Sequence, residues 1–159
     1  MITFRTSKIS DVLRIQLVRE TECEPAKCTA PEEVAKLWPL TIGARDEYDR
    51  DKETFGVFIL DAKNQVRHVD VVSVGLLDAT LIHPREVYRK AIALGAVAIV
   101  AVHNHPSGDP TPSAEDLRIT KQLIEAGKVV DIRLLDHVIV TEDPTKYISL
   151  RESSLADFI

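Results

Sequence analysis

The clearest hydrophobic patterning lies in the second two-thirds of the chain. Thr54–Asp61 (TFGVFILD) and Val66–Leu77 are rich in Val, Ile and Phe and predict two strands. Ala62-Lys63-Asn64-Gln65 joins them as a tight hairpin loop. His83–Leu94 predicts a helix, with Pro84 in its first turn and Gly95 just past its end. Val87, Ala91 and Leu94, with Tyr88 and Ile92, form its apolar face. Ala96–Val102 (AVAIVAV) has no alternation, so it predicts a strand buried on both faces, central in a sheet covered by helices. The following HNHPSGDPTPSAED is too rich in Pro and Gly for a regular element before about Ser113. Ser113–Ala126 then predicts a helix, with Leu117, Thr120, Leu123 and Ile124 on one side and Gly127 as its stop. Val129–Thr141 predicts another strand. Helix, buried strand, loop, helix and strand in succession form an α/β/α pattern.

The first 52 residues are less patterned. Lys8–Glu20 lacks a clean period and fits a strand or a short helix. Glu22–Ala30 reads as a loop. Pro31–Leu37 reads as a short helix, with Pro at a first-turn position and acids where the helix dipole favours them. Arg45–Glu53 (RDEYDRDKE) mixes charges of both signs and reads as a solvated helix face, Glu53 excepted. The single Trp38 beside Pro39 reads as a packing residue. No internal repeat or low-complexity tract is visible.

Composition narrows the class. The chain has 159 residues, 45% apolar and 28% charged, which suits one globular domain with a real core. Lys plus Arg is 20 and Asp plus Glu is 25, a net charge of −5, which speaks against a broadly basic nucleic-acid surface. The two cysteines, Cys23 and Cys28, exclude a disulfide-dense scaffold and a four-thiolate zinc site and read as free thiols. The N-terminus has no apolar stretch of signal-peptide length, and Ala96–Val102 is too short to span a bilayer. The expectation is a soluble cytoplasmic domain with no membrane partner.

Candidate chemistry concentrates in residues 103 to 116. His103 and His105 lie at the carboxyl end of the buried strand, where open α/β sheets place their ligands. Residues i and i+2 of an extended segment point to the same side, so both imidazoles can reach one metal ion. Asp116 falls in the first turn of the next helix. Two nitrogens and one carboxylate oxygen leave a fourth tetrahedral position for water, the catalytic rather than the structural zinc arrangement. Ser113 sits three residues earlier and can hydrogen-bond at the same place. A plainer reading competes: Ser113-Ala114-Glu115-Asp116 is also a capping box, and H-x-H alone is a weak signal. The two roles are compatible, because a helix terminus is a rigid mount for a ligand.

The run HNHPSGDPTPSAED fits the JAMM (MPN+) metalloprotease signature H-x-H-P-x6-S-x2-D without a gap, through His103, His105, Pro106, Ser113 and Asp116. It resembles the RadC-like branch of that superfamily in particular, as do HPREVYRKAI (His83–Ile92) and LLDHVIV (Leu134–Val140). The resemblance covers roughly Asp46 to Leu150. It implies a three-layer α/β/α sandwich around a mixed sheet, of the JAMM/MPN (cytidine-deaminase-like) architecture. It also implies a domain over residues 46–159 and an N-terminal extension over residues 1–45.

The resemblance further implies a zinc ion held by His103, His105 and Asp116, and a glutamate ahead of the first strand that hydrogen-bonds the zinc water. Glu53 matches that position, with Glu47 as the fallback, while Glu86 reads as structural. On this reading Glu53 is the general base and Ser113 helps hold the oxyanion during hydrolysis of a peptide or isopeptide bond. Most JAMM peptidases have Ser or Thr between the histidines; Asn104 stands there instead, as in RadC-like proteins. Ser107 and Asp109 either orient His105 and shape the substrate groove or simply make the turn. His137 reads as a core or sheet-face histidine, and His68 and His83 as peripheral.

The implied partner is a peptide or protein substrate, and a homodimer is left open. Two other functions compete. One is a DNA-repair or nucleic-acid-processing protein, which the acidic charge disfavours. Longer RadC proteins carry a helix-hairpin-helix region, and the first 50 residues here do not read as one. The other is a non-catalytic domain that keeps zinc for stability. A zinc deaminase is excluded, since no cysteine follows Cys28, and no H-E-x-x-H is present.

Overall fold

A five-stranded mixed sheet organises the computed structural model, which describes residues 2–9, 12–19, 26–75 and 82–158. Its strands are β3 (Thr54–Leu60), β4 (Val66–Val74), β5 (Ala98–Asn104), β6 (Arg133–Val140) and β7 (Tyr147–Ser149). They lie in the order β4-β3-β5-β6-β7. Only the β5–β6 pair is parallel. Its crossover is the helix α3 (Ala114–Val130), since parallel neighbours need a long connection. The helices α1 (Pro31–Leu37) and α2 (Pro84–Ala93) complete the described helices. Two further strands, β1 (Ile2–Ile9) and β2 (Val12–Arg19), pair antiparallel in a separate sheet.

Strand alternation sorts the core into two layers. Phe55, Val57, Ile59, Ile99 and Ala101 face α2 and α3, where they meet Val87, Tyr88, Ile119 and Leu123. Phe58, Leu60, Val100 and Val102 face the other way, against Cys28, Val34, Ala35, Trp38 and Ile42. The result is the α/β/α sandwich around a mixed sheet. β3 and β5 are buried along their whole length, as a central position between two layers requires. Burial also pushes the Cys28 thiol up to about 12, with the nearby Glu33 charge adding to the effect. Cys23 and the end of the predicted strand at Leu76 and Leu77 lie outside the described residues. No helix among those residues is long and apolar enough to cross a membrane.

Several element boundaries differ from the sequence expectation, each for a physical reason. The segment Lys8–Glu20, open between strand and short helix, takes the strand alternative, with Lys8 and Ile9 closing β1 and Val12–Arg19 forming β2. Arg45–Glu53 forms turns, not a helix. Its short acids bond local backbone instead, as when Asp49 Oδ1 accepts from the Asp51 amide at 3.0 Å. The central strand starts two residues late, because Ala96 closes the end of α2 by bonding Ala91 O. It then runs on through His103 and Asn104, which keep pairing with Phe55 and Val140.

Gly127 does not stop α3. The helix passes through it and ends at Asp131, whose left-handed φ of 55° makes the cap. Val129 and Val130, predicted to open a strand, form the last helical turn. Gly127 is present for packing: a Cβ there would lie 2.6 Å from Ile132 O and 2.6 Å from the Tyr88 hydroxyl. The close approach lets Tyr88 Oη donate to Leu123 O at 2.9 Å, which ties α2 to α3.

Candidate metal centre

The end of β5 and the start of α3 converge on one point. His103 is the last inward-facing residue of β5. It is fully buried and stacks on Phe55 with ring centroids 6.1 Å apart. His105 follows two residues on, and its amide still bonds Val140 O at 2.9 Å, so the extended path holds. The two Nε2 atoms are 3.0 Å apart. Asp116 reaches them from the first turn of α3, with Oδ1 3.3 Å from His103 Nε2 and Oδ2 3.6 Å from His105 Nε2. His103, His105 and Asp116 form a group that could hold a metal ion, their donor atoms all within 4.8 Å of one another.

The capping box mounts the carboxylate. Ser113 is the N-cap of α3, and its Oγ accepts from the Asp116 amide at 3.1 Å. Asp116 Oδ2 accepts from the Ser113 amide at 2.7 Å and from its hydroxyl at 2.6 Å. Cap and carboxylate orientation are thus one device, and it leaves Oδ1 facing His103. Burial pushes the Asp116 carboxyl up. The bond from His105, the proximity of His103 and the Ser113 bonds outweigh that and hold it well below the usual carboxylate range.

The histidine environments differ. Burial drives His103 far below the ordinary histidine value; neighbouring His137 adds to this, Asp116 opposes it, and His105 pushes the same way as His137. His105 is raised, chiefly by its bond to Asp116, with the Asp109 carbonyl and the charges of Asp116 and Glu53 helping against partial burial. His105 Nδ1 lies 2.8 Å from Asp109 O. A carbonyl can only accept, so Nδ1 carries the proton and Nε2 turns towards the donor group.

The remaining sequence candidates fall around this group. Glu53, His105, Pro106, Ser107, Ser113 and Asp116 line one open cleft of about 730 Å³. Asn104 is buried and clamps the peptides on both sides of Glu53. Its Oδ1 accepts from the Thr54 amide at 2.7 Å, and its Nδ2 donates to Lys52 O at 3.0 Å. The side chains of Ser107 and Asp109 make turn bonds: Ser107 Oγ accepts from the Asp109 amide, and Asp109 Oδ1 from Thr111. Only the backbone carbonyl of Asp109 orients His105. Glu86 pairs with Arg89 on α2 at 3.1 Å, and exposed His83 caps α2 by accepting from the Arg85 amide.

Two further residues touch the group: Thr120, read from sequence only as part of its helix's packing side, and His137, read as a core or sheet-face histidine and buried in β6 as that reading expects. His137 Nε2 lies 2.8 Å from His103 Nδ1, and His137 Nδ1 lies 2.6 Å from Thr120 Oγ1. The available signals were weak: Thr120 sits one helical turn after Asp116, and His137 breaks an apolar strand. Burial lowers His137 to about 4.

Fold and site together define an α/β domain of the JAB type carrying a His-His-Asp group. A family model described as the RadC-like JAB domain matches residues 28–155, and the chain belongs to that family. A UPF0758 protein of Caldanaerobacter subterraneus is 41% identical over 143 residues, 90% of this chain and 58% of the relative. One of Listeria monocytogenes is 45% identical over 139 residues, 87% and 58% of the two chains. One of Methanosarcina acetivorans is 36% identical over 151 residues, 93% and 62%. The chain therefore spans about three-fifths of the length of these relatives.

Proposed function

We propose that the protein is a zinc-dependent hydrolase of the JAMM type, acting on peptide or isopeptide bonds. One observation carries the reading: the His103–His105–Asp116 group opens through His105 and Asp116 onto the cleft that Glu53 also lines. The donor set suits zinc in chemistry and in size. Tetrahedral bonds to His and Asp imply donor separations of roughly 3.3 Å; the two Nε2 atoms are 3.0 Å apart and Asp116 Oδ1 lies 3.3 Å from His103 Nε2, with one donor atom from each residue within 4.8 Å of the others. His103, His105 and Asp116 would hold the ion. When bound, zinc makes water acidic enough to attack near neutral pH and polarises the scissile carbonyl.

The chain's own residues supply the rest. Glu53, on the cleft wall, takes the proton of the attacking water and passes it to the leaving amine. Asn104 keeps the Glu53 backbone in place through its two bonds to Lys52 and Thr54. Ser113 has one hydroxyl proton, resting on Asp116 Oδ2. Rotated into the cleft it donates to the developing oxyanion, a contribution of about 3–4 kcal/mol to the barrier. A cleft of about 730 Å³ has room for an extended peptide segment. The net charge of −5 favours a peptide or protein substrate over nucleic acid.

The test pairs metal analysis with cleavage of an unbiased peptide library and of ubiquitin-like fusions. The wild-type chain should bind zinc and cleave. Glu53→Ala should keep zinc and lose turnover, and His103→Ala should lose both. Full activity in the Glu53→Ala protein would sink the base assignment.

A further inference from the structure

A second cavity, of about 250 Å³, lies beside α1 on the other face of the sheet. Val100 on its floor faces the α1 layer, whereas His103 stacks on Phe55 in the opposite layer. The cavity also sits at the other end of the strands. Arg133 on its wall pairs with Ala98, the first residue of β5, while His103 pairs with Ile139 near the far end. The floor is apolar, built from Cys28, Val34, Val100 and Leu135. Two arginines stand on the wall, Arg133 at the start of β6 and Arg151 just past β7.

The charged groups around this cavity are unevenly satisfied. Glu33, which acts on the Cys28 thiol, accepts at Oε2 from the Thr29 amide at 2.6 Å, the Thr29 hydroxyl at 2.8 Å and the Ala30 amide at 3.1 Å. Asp136 accepts from the Ser149 hydroxyl at 2.6 Å and from the His137 and Arg151 amides at 2.7 and 3.1 Å. Both carboxylates thus find their donors within the fold. The arginines find no acceptors there. Among the described residues, neither Arg133 nor Arg151 has an ion pair or a side-chain hydrogen bond, and Arg151 acts on Asp136 only at longer range. Each guanidinium carries five N–H donors in a planar fork that matches carboxylate or phosphate oxygens. What the cavity lacks is acceptor oxygen.

We propose that this cavity binds a small organic anion, with a carboxylate or phosphate head held by Arg133 and Arg151 and a short apolar body on the floor. The volume falls just below the roughly 300–1,000 Å³ of drug-sized sites, so the body is a few carbons long. An inorganic ion would occupy only the polar end and leave Cys28, Val34, Val100 and Leu135 against water. The site does not rest on the hydrolase reading, since it shares no residue with the metal group or its cleft.

The test titrates the full ¹⁵N-labelled chain, without added metal, with acetate, butyrate, inorganic phosphate and butyl phosphate. Butyrate or butyl phosphate should give saturable shifts at the Cys28, Asn64 and Leu135 amides and leave those of His105 and Ser107 in place. Its two added methylenes should make butyrate bind about tenfold tighter than acetate, and butyl phosphate should exceed inorganic phosphate in the same way. The tighter of the two heads identifies the anion. Joint Arg133→Gln and Arg151→Gln substitution should weaken binding about tenfold or more, whereas Lys128→Gln on α3 should bind as wild type. No shifts, shifts that never saturate, or shifts centred on the metal cleft overturn the proposal. So does a double variant that binds within about twofold of wild type. So does a wild type that gains nothing from the added carbons, a measurement that needs no variant to fold. No readout uses a cleavable substrate or zinc, so failure of hydrolysis and failure of anion binding are separate results.

Discussion

Asn104→Ala removes the carboxamide that brackets Glu53, and its two lost bonds are unequal. The Thr54 amide belongs to a residue that is 2% exposed, and Asn104 Oδ1 accepts from it at 2.7 Å. Left without that acceptor, the buried donor costs about 1–3 kcal/mol. Lys52 O belongs to an exposed residue, so water replaces Nδ2 at little cost. The expected loss of stability is therefore about 1–3 kcal/mol, nearly all from Thr54. Asn104→Asp adds a sign that can be checked. Its ionised carboxylate would face Lys52 O, acceptor against acceptor, whereas the protonated acid can donate as the amide does. The folded protein therefore favours the protonated form, and the penalty of this variant shrinks as pH falls. Urea unfolding of the metal-free protein measures both variants, and zinc titration reads the donor group separately. Asn104→Ala should unfold earlier while binding zinc as wild type does. Unfolding free energy within about 0.5 kcal/mol of wild type, where ordinary surface substitutions lie, would refute the clamp. So would zinc binding that falls as far as in His103→Ala.

Two other predictions follow from the packing and the protonation of the site. Gly127→Ala should destabilise by about 1–3 kcal/mol through overpacking against Ile132 O and Tyr88, despite a helix-propensity gain of about 1 kcal/mol; a higher melting temperature would contradict this. In the metal-free protein, His105 is raised by Asp116, so its stabilisation is full below about pH 6.5, the unfolded value, and is lost as pH rises through the folded one. Asp116 is depressed, so its contribution is present above about pH 4 and lost as pH falls towards its folded value. Zinc must displace the proton on His105 Nε2, so affinity should weaken as pH drops through that raised value. Zinc dissociation constants measured from about pH 8 down to about pH 5.5 check this, and a pH-independent affinity would contradict it.

How much of the site could be read from sequence depended on distance along the chain. His103, His105, Ser113 and Asp116 are legible because strand end, loop and helix cap are contiguous, and local geometry carries them to one point. Glu53 is fifty residues away. Its place depends on the β3–β5 register, in which Phe55 pairs with His103, and no local pattern encodes that pairing. The two central strands are legible because burial on both faces demands unbroken apolar runs. Gly127 was misread because a glycine that ends a helix and one that admits a neighbouring tyrosine look identical in sequence. Arg45–Glu53 was misread as helical because its charges suit a solvated helix, whereas its aspartates bond local backbone. Thr120 and His137 fill positions where a side chain is simply buried, and only their 2.6 Å contact reveals a polar purpose.

The central claim is that His103, His105 and Asp116 form one metal site. Zinc titration of the metal-free full chain against a chelating indicator, beside His103→Ala and Asp116→Asn, tests it most directly. The account predicts one zinc per wild-type chain and loss of that binding in both variants, with each variant still folded. Wild-type binding retained by either variant, or no stoichiometric binding by the wild type, would contradict it.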